Sequence, residues 1–270
     1  MRAEARGRYP YLDVVRPFGF AHRGGSALHP ENTLLAFEAA VLLGFDHIET
    51  DLHLTRDGVF VIFHDPDVGR TTDGAGAIRE MTLAEVKGLD AGHRFVSLGG
   101  GHPHRGRGVE VPTLDEALAR FPDTFFNLEM KHEMARPLWR FIEERQIHDR
   151  VLVGCADDGH GRAFRALARG RVPTSPGVRG VLDFWLASRV GLDRVRSYDF
   201  EALQVPPHQG PLTVVDRRFV AAARRHGIQV HVWTIDDRAE MRRLFGLGVD
   251  AVMSDRPDLL RSVLADENPR

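Results

Sequence analysis

Two acidic residues separated by a single residue form the most informative feature of this 270-residue chain. Glu49 and Asp51 lie in the stretch HIETDLHLT, which reads as a strand, so residues two apart project from the same face. The opposite face, which includes Ile48 and Leu52, is largely apolar and has a core to bury against, whereas the charged face has none. Two close carboxylates that must both stay ionised require a cation. The stretch therefore indicates a metal-dependent enzyme.

Further polar residues recur at the predicted ends of strands. His22 and Arg23 close the first predicted strand, and Glu129 and Lys131, again two apart, end the third. Three carboxylates plus water suit a hard cation, Mg²⁺ or Ca²⁺, whereas zinc usually requires more histidine or cysteine at ligand spacing. His22 and His64 can then divide the acid-base work, because imidazole titrates close to neutral pH. Two histidines, a metal and two cations describe phosphodiester cleavage better than carbonyl or hydride chemistry.

Each of these residues, taken singly, also has a purely structural interpretation. A Glu-x-Asp pair on a strand is usually a solvated surface pair, and His22 alone can be a hydrogen-bonded turn histidine. Glu129 and Lys131 can form a surface ion pair that contributes little to stability. Trp233, at the end of the seventh predicted strand, can serve packing as well as recognition. The order and joint occurrence of the residues favour the functional interpretation.

Strand-like and helix-like runs alternate along the chain. The predicted strands cover residues 17–21, 47–53, 124–130, 151–155, 172–174, 202–205, 229–234 and 251–254. The predicted helices cover residues 32–44, 114–120, 135–145, 159–168, 178–190, 216–227, 238–247 and 258–265. Eight alternations imply an α/β fold with a parallel sheet, and a closed (β/α)₈ TIM barrel suits this length. A doubly wound open sheet is the competitor, but HRGGS at 22–26 does not match its glycine-rich phosphate loop. A barrel brings the polar strand ends into one mouth.

One connection is far longer than a usual βα loop, because about sixty residues separate the second strand from the helix at 114. Residues 59–64 are predicted to form a further strand beside the acidic one. Residues 66–112, with a short helix near 83–88, are predicted to be a small insertion that caps one end of the barrel. A single catalytic domain then covers residues 14–266, and residues 1–13 form an N-terminal extension.

Composition limits which binding partners and which cellular compartment are expected. The net charge is -2 and the arginines are scattered, so neither nucleic acid nor stable membrane association is expected. Cys155 is the only cysteine, which excludes an intramolecular disulfide and fits a reducing compartment. The N-terminus lacks an apolar signal core, so the cytoplasm is the expected location. Homodimer formation stays open.

Several motifs in order give a specific resemblance. The run HRGGSALHPENTLLAFEAAVLLGFDHIETDLHLTRDGVFVIFHDPDVGRTTDG, at 22–74, resembles the signature of the glycerophosphodiester phosphodiesterase family. LEMK at 128–131, HVWTID at 231–236 and GVDAVMSDRPDLL at 248–260 are similar to its later motifs. The resemblance implies a barrel hydrolase that uses a divalent cation to cleave glycerophosphodiesters to sn-glycerol 3-phosphate and an alcohol. In the family's usual scheme a substrate hydroxyl attacks phosphorus, and water then opens the resulting cyclic phosphate.

The resemblance also implies a role for each matching residue. It assigns acid-base catalysis to His22 and His64, metal ligation to Glu49, Asp51 and Glu129, phosphate binding to Arg23 and Lys131, and a wall beside the glycerol or leaving group to Trp233. Glu31 is expected to brace the His-Arg loop or to begin the helix that Asn32 caps. His53 is expected to line the pocket, and Asp255 to cap the last helix with Pro257 in its first turn.

The sequence departs from the family pattern at three places. Cys155-Ala156 stands where many relatives have Ser-Phe, Asp236 replaces a common Asn, and Ser254 replaces Thr. These changes concern the leaving-group preference and leave the chemical residues intact.

Three other functions fit parts of the pattern. A lysophospholipase D-type hydrolase of lysolipids could use the same scaffold, with Phe95, Val96 and Leu98 of the insertion as an apolar flank. A non-catalytic barrel that binds phosphate would bind without turnover. A metal-independent phosphodiesterase would use the two histidines alone and would be insensitive to chelator.

Overall fold

The computed structural model describes residues 9–267 of the chain. Its strands are β1 (Phe18–His22), β2 (His47–Leu54), β3 (Phe60–Ile62), β4 (Phe125–Met130), β5 (Val151–Gly154), β6 (Ala202–Val205), β7 (His208–Gln209), β8 (Leu212–Thr213), β9 (Gln229–Val232) and β10 (Ala251–Ser254). Its helices are α1 (Leu34–Leu42), α2 (Leu83–Lys87), α3 (Leu114–Arg120), α4 (Ala135–Arg145), α5 (Asp158–Ala168), α6 (Val178–Val190), α7 (Arg217–Arg225), α8 (Arg238–Leu247) and α9 (Pro257–Glu267). Of the predicted N-terminal extension, residues 1–8 lie outside the described residues.

The main sheet runs in the hydrogen-bonded order β5-β4-β2-β1-β10-β9-β6, with β3 antiparallel beside β2. β2 pairs in parallel with β1 and β4, and β9 pairs in parallel with β6 and β10. Thr174 joins the two ends of this order, because it forms a parallel bridge with Val153 and its carbonyl oxygen accepts from the N–H of Ala202. The predicted (β/α)₈ barrel is confirmed.

The fifth predicted strand, at 172–174, is a single bridge rather than a strand. Pro173 has no N–H to donate, so a ladder cannot continue through it. The carbonyl oxygen of Pro173 still accepts from the N–H of Val153, at 3.0 Å. The barrel therefore closes here through a few hydrogen bonds.

The chain divides into two compact units. Within the described residues, one comprises 9–19, Glu133–Ser254 and 259–267, and the other comprises Phe20–His132 and Asp255–Asp258. All the residues assigned above to acid-base, metal or phosphate chemistry lie in the second unit, and Trp233 lies in the first. A single catalytic domain over residues 14–266 stays a prediction.

The insertion has a small core of its own within the second unit. The core consists of Val61, Phe63, Val68, Ile78, Val86, Ala91 and Val111. The short helix predicted near 83–88 is present as α2, and a capping box between Thr82 and Glu85 fixes its first turn. The insertion is thus a folded segment whose core includes Val61 of β3, the strand that pairs with β2 in the main sheet.

The charged face of β2 is buried, which differs from the expectation that it has no core. His47, Glu49, Asp51 and His53 are each at most 5% exposed. β2 is a central strand between β1 and β4, and a strand in an α/β barrel is covered on both faces. Among the described residues, no helix combines the length and the apolar character needed to cross a membrane.

Candidate active site

Three carboxylates meet on two neighbouring strands of the second unit. Glu49 and Asp51 come from β2, and Glu129 comes from β4, where it is the direct parallel partner of Asp51. One carboxylate oxygen from each residue lies within 4.8 Å of the others. The two-residue spacing and the strand register together place the three side chains on one face.

This arrangement fits a hard divalent cation. Ca²⁺ or Mg²⁺ binds oxygen ligands at about 2.0–2.6 Å, so oxygens on opposite sides of one ion lie about 4–5 Å apart. All three donors are oxygens, which is the set that these cations prefer over zinc. Burial, reinforced by the charge of Asp51, raises the pKa of Glu49 to about 8. A bound cation would remove this penalty on the charged form.

Two cationic side chains contact the acidic cluster. Nζ of Lys131 lies 2.8 Å from Oδ1 of Asp51 and 2.8 Å from Oε2 of Glu129, and Nε of Arg23 lies 3.3 Å from Oδ2 of Asp51. Burial alone would raise the pKa of Asp51, but Lys131 and Arg23 outweigh it and hold this pKa below its ordinary value. The pKa of Glu49 is therefore raised while the pKa of its neighbour Asp51 is lowered.

His22 lies at the end of β1, where it is the direct partner of Glu49. Nε2 of its ring is 3.6 Å from Oε2 of Glu49, and Nδ1 is 2.6 Å from Oδ1 of Asp255. Burial lowers the pKa of His22, but the carboxylates of Glu49 and Asp255 outweigh it and raise this pKa overall. With Nδ1 held by Asp255, Nε2 faces the acidic cluster.

Asp255 was predicted only as a cap for the last helix, and its contact with His22 was not predicted. Oδ1 of Asp255 lies 2.6 Å from Nδ1 of His22. The available signal was its place directly after β10, since polar residues at the ends of barrel strands serve chemistry.

The turn after β1 has two positions, 24 and 25, that require glycine. Arg23, Gly24 and Gly25 all have positive φ, at 50°, 82° and 99°. A Cβ on Gly24 would lie 2.7 Å from Cβ of Ala36, and a Cβ on Gly25 would lie 2.7 Å from the ring of Pro257. The two glycines therefore let the turn lie directly against its neighbours, which carries Arg23 to the cluster.

His64 stands beyond β3 and is held through both its side chain and its main chain. Nδ1 of its ring is 2.6 Å from Oδ1 of Asp65, and its carbonyl oxygen is 3.1 Å from Nε2 of His53. Burial lowers the pKa of His53. His53, which was expected to line the pocket, thus contacts the backbone of the second proposed acid-base residue.

The loop that precedes α1 supplies two further polar contacts. Nη1 of Arg23 donates to Oε1 of Glu31 at 3.1 Å, which confirms that Glu31 braces the His-Arg loop. The expected cap at Asn32 is wrong, because the side chain of Thr33 accepts from the first turn of α1. Asn32 has a φ of 58°, and its Nδ2 donates to Oδ2 of Asp51 at 2.8 Å. It orients a proposed metal ligand, a role that no local sequence pattern indicated.

The model of the glycerophosphoryl diester phosphodiesterase family matches residues 22–259, which include every residue of the site described above. The chain belongs to this family.

Two curated members of the glycerophosphoryl diester phosphodiesterase family are similar over nearly their whole length. "Probable glycerophosphodiester phosphodiesterase 2" of Mycobacterium tuberculosis is 34% identical over 96% of this chain and 96% of its own. The glycerophosphodiester phosphodiesterase of Bacillus subtilis is 30% identical over 93% of this chain and 88% of its own.

Solved structures of the family have the same fold. The glycerophosphoryl diester phosphodiesterase domain of an uncharacterized Mycobacterium tuberculosis protein superposes with a TM-score of 0.82, at 22% identity over 92% of this chain and 99% of that one. A phosphodiesterase of Oleispira antarctica, solved in complex with the product sn-glycerol-3-phosphate, superposes with a TM-score of 0.71, at 28% identity over 92% of this chain and 97% of that one.

The residues that depart from the family pattern lie in the first unit. Oγ of Ser254 donates to Oδ1 of Asp236 at 2.8 Å, so two of the three departures contact each other. Cys155 is buried. Trp233 directly follows β9 and is 41% exposed, which leaves part of its ring available for contact with a ligand.

Proposed function

We propose that this family member is a metal-dependent glycerophosphodiester phosphodiesterase, which hydrolyses glycerophosphodiesters to sn-glycerol 3-phosphate and an alcohol. The observation that carries the proposal is the group of three carboxylate oxygens within 4.8 Å of one another, with Nε2 of His22 3.6 Å from Glu49. The family match and the product complex of the Oleispira antarctica phosphodiesterase support the substrate class.

The proposed metal ligands are Glu49, Asp51 and Glu129, and the proposed ion is Mg²⁺ or Ca²⁺. When bound, the ion would polarise a phosphoryl oxygen and neutralise negative charge that develops during the reaction. Asn32 holds Oδ2 of Asp51 and thereby fixes the orientation of this carboxylate. Such outer contacts of a ligating carboxylate generally govern metal affinity.

Phosphate binding is proposed for Arg23 and Lys131. Arg23 offers a planar fork, braced by Glu31, and Lys131 offers a compact charge between two of the carboxylates. Both groups stay cationic, since contacts with Asp51 raise the pKa of each although burial lowers it. Trp233 is proposed to border the glycerol or leaving-group side.

His22 and His64 are proposed as the acid-base pair. Each has a carboxylate at Nδ1, Asp255 for His22 and Asp65 for His64, which keeps Nε2 available to the substrate. One imidazole takes the proton of the attacking glycerol hydroxyl as its oxygen bonds to phosphorus. The other gives a proton to the departing alcohol oxygen as its bond to phosphorus breaks. Water then opens the cyclic phosphate, with the proton transfers reversed.

The proposal is tested by measuring sn-glycerol 3-phosphate release from a small panel of glycerophosphodiesters. Purified protein is first stripped with chelator, then assayed with Mg²⁺ or Ca²⁺ restored. We expect turnover with at least one of the two ions and none in chelator. Undiminished turnover in chelator would favour a metal-independent phosphodiesterase that uses the two histidines alone.

Lysolipids are a second candidate substrate class, favoured by one observation. In the insertion, Val96 is 56% exposed and Leu98 is 67% exposed, so an apolar surface is available for an acyl chain. Assaying lysophosphatidylcholine beside glycerophosphocholine separates the two classes. A kcat/KM for lysophosphatidylcholine well above that for glycerophosphocholine would identify a lysophospholipase D-type activity.

A further inference from the structure

Arg70 donates three hydrogen bonds to two carboxylates. Nη1 donates to Oε2 of Glu31 at 2.8 Å, and Nη2 donates to Oε1 of the same residue at 2.6 Å. Nε donates to Oδ2 of Asp65. The guanidinium thus forms a bidentate pair on one side and a single charge-assisted hydrogen bond on the other, which is the strongest geometry available to it.

The carboxylate that Arg70 holds is the one that contacts His64. Asp65 places Oδ2 on Arg70 and Oδ1 on Nδ1 of the imidazole, at 2.6 Å. A carboxylate held at one oxygen can rotate about its terminal bond, whereas one held at both oxygens has a defined plane. The direction of the His64 ring therefore depends on the place of the Arg70 guanidinium.

Arg70 is itself fixed at both ends. Glu31 is mostly buried and is also bound by Nη1 of Arg23, so it provides a stable anchor beside α1. In the backbone, the side chain of Asp67 accepts from the N–H of Gly69 at 2.8 Å and so caps the short 3-10 turn Val68–Arg70, which carries Arg70. Arg70 donates to Glu31 and Asp65 rather than to the carboxylates of the acidic cluster, so it can orient His64 without a contact of its own with the substrate.

We propose that Arg70 is a positioning residue for His64, which acts through Asp65 and is anchored by Glu31. The inference rests on the proposed acid-base role of His64. It predicts that kcat depends on the planar guanidinium of Arg70 as well as on its charge, because a lysine ammonium has no planar set of donors for two carboxylates.

The test compares Arg70→Ala with a matched control, Arg56→Ala. Arg56 is also about half exposed and also holds the insertion, through the carbonyl oxygen of Glu80 and the carboxylate of Glu85, but it has no contact with Asp65 or His64. With glycerophosphocholine at saturating metal, we expect Arg70→Ala to lower kcat by about 10–100-fold, as loss of an orienting contact does. KM and divalent-cation affinity are expected to stay near the wild-type values, and Arg56→Ala is expected to keep wild-type kcat.

The kcat of the double variant distinguishes a positioning role of Arg70 from simple structural support. In a His64→Ala background, Arg70→Ala is expected to cause no further loss of kcat, because its effect passes through the missing imidazole. A full additional loss in that background refutes the proposal, as does a kcat for Arg70→Ala within two-fold of wild type.

Arg70→Lys guards against a variant that fails to fold. It keeps the charge and the flexible aliphatic stem but lacks the planar fork, so it is expected to fold and still to lose kcat. Wild-type kcat in Arg70→Lys would overturn the proposal. If the wild-type enzyme is inactive on the whole substrate panel, the proposed function is rejected instead. If His64→Ala keeps wild-type kcat, the proposed role of His64 is rejected.

Discussion

Oδ1 of Asp255 lies 2.6 Å from Nδ1 of His22, although the two residues are 233 positions apart in the chain. His64 has the same contact with Asp65, its immediate neighbour in sequence, also at 2.6 Å. Each proposed acid-base histidine therefore has a carboxylate at Nδ1, one supplied by the fold and one by the adjacent residue. A carboxylate in this position fixes the tautomer and stabilises the imidazolium that forms during proton transfer.

Asp255→Asn should lower kcat by about 10²–10⁴-fold, because an amide presents a donor as readily as an acceptor and no longer selects the tautomer. The protein should stay folded, since the two side chains are nearly isosteric. Steady-state kinetics and thermal unfolding check both points. Asp258→Asn is a suitable control, because Asp258 pairs with Arg256, two positions before it, and the substitution should leave kcat unchanged. Near wild-type kcat in Asp255→Asn would show that His22 needs no partner at Nδ1.

Glu49→Gln should abolish turnover and divalent-cation binding, because a neutral amide is a much weaker ligand for Mg²⁺ or Ca²⁺ than a carboxylate. Titration calorimetry with each ion measures the binding directly. In chelator, the variant should be at least as stable as wild type, since it removes a buried group that is costly to ionise. Glu38→Gln, at an exposed ion pair with Arg120, is the control. Activity retained by Glu49→Gln at saturating metal would remove Glu49 from the ligand set.

The raised pKa of Glu49, about 8, predicts a pH dependence of metal affinity. Binding requires the ionised carboxylate, so the association constant should rise by up to about ten-fold per pH unit between pH 6 and 8 through this one proton. Calorimetry across that range, in buffers of different ionisation enthalpy, measures both the affinity and the proton released. A flat affinity with no proton release between pH 6 and 8 contradicts the prediction.

The same shift predicts how the stability of the metal-free protein changes with pH. A carboxyl whose pKa is higher in the folded than in the unfolded chain contributes its full stabilisation below its ordinary pKa of 4.5, and loses it as the pH rises through about 8. In chelator, the advantage of Glu49→Gln over wild type in unfolding free energy should therefore grow from pH 5 to pH 8. Denaturant unfolding at several pH values measures this difference, and a constant offset between the two proteins would refute it.

His22→Ala and His64→Ala should each lower kcat by about 10²–10⁴-fold, the usual range for general acid-base groups. Cation affinity should be largely kept, because neither ring is among the proposed ligands. His160→Ala, at a partly exposed position in α5, is the control. A loss below ten-fold in either variant would demote that histidine from acid-base catalysis to a minor role.

Short-range patterns in the sequence predicted much of the site. The two-residue spacing of Glu49 and Asp51 placed both carboxylates on one face, and the same rule joined Glu129 to Lys131. Both pairs lie where expected, on neighbouring strands. Such predictions succeed because a strand alternates its side chains whatever its surroundings.

Other features depended on parts of the chain that no local pattern connects. The charged face of β2 is buried because neighbouring strands and the barrel fold enclose it. The contact of His22 with Asp255 and the fork of Arg70 on Glu31 and Asp65 join residues that local rules assigned to caps and loops or left without a role. The strand predicted at 172–174 is a single bridge, because Pro173 has no N–H for a longer ladder.

The sequence by itself determined the α/β barrel class, the family, and which residues have the chemistry to bind a metal and transfer protons. Only the tertiary structure decided which carboxylate orients each histidine and which buried acid carries the raised pKa. The physical reason is that hydrogen bonds and burial depend on distances between chain segments, and those distances exist only once the barrel has closed.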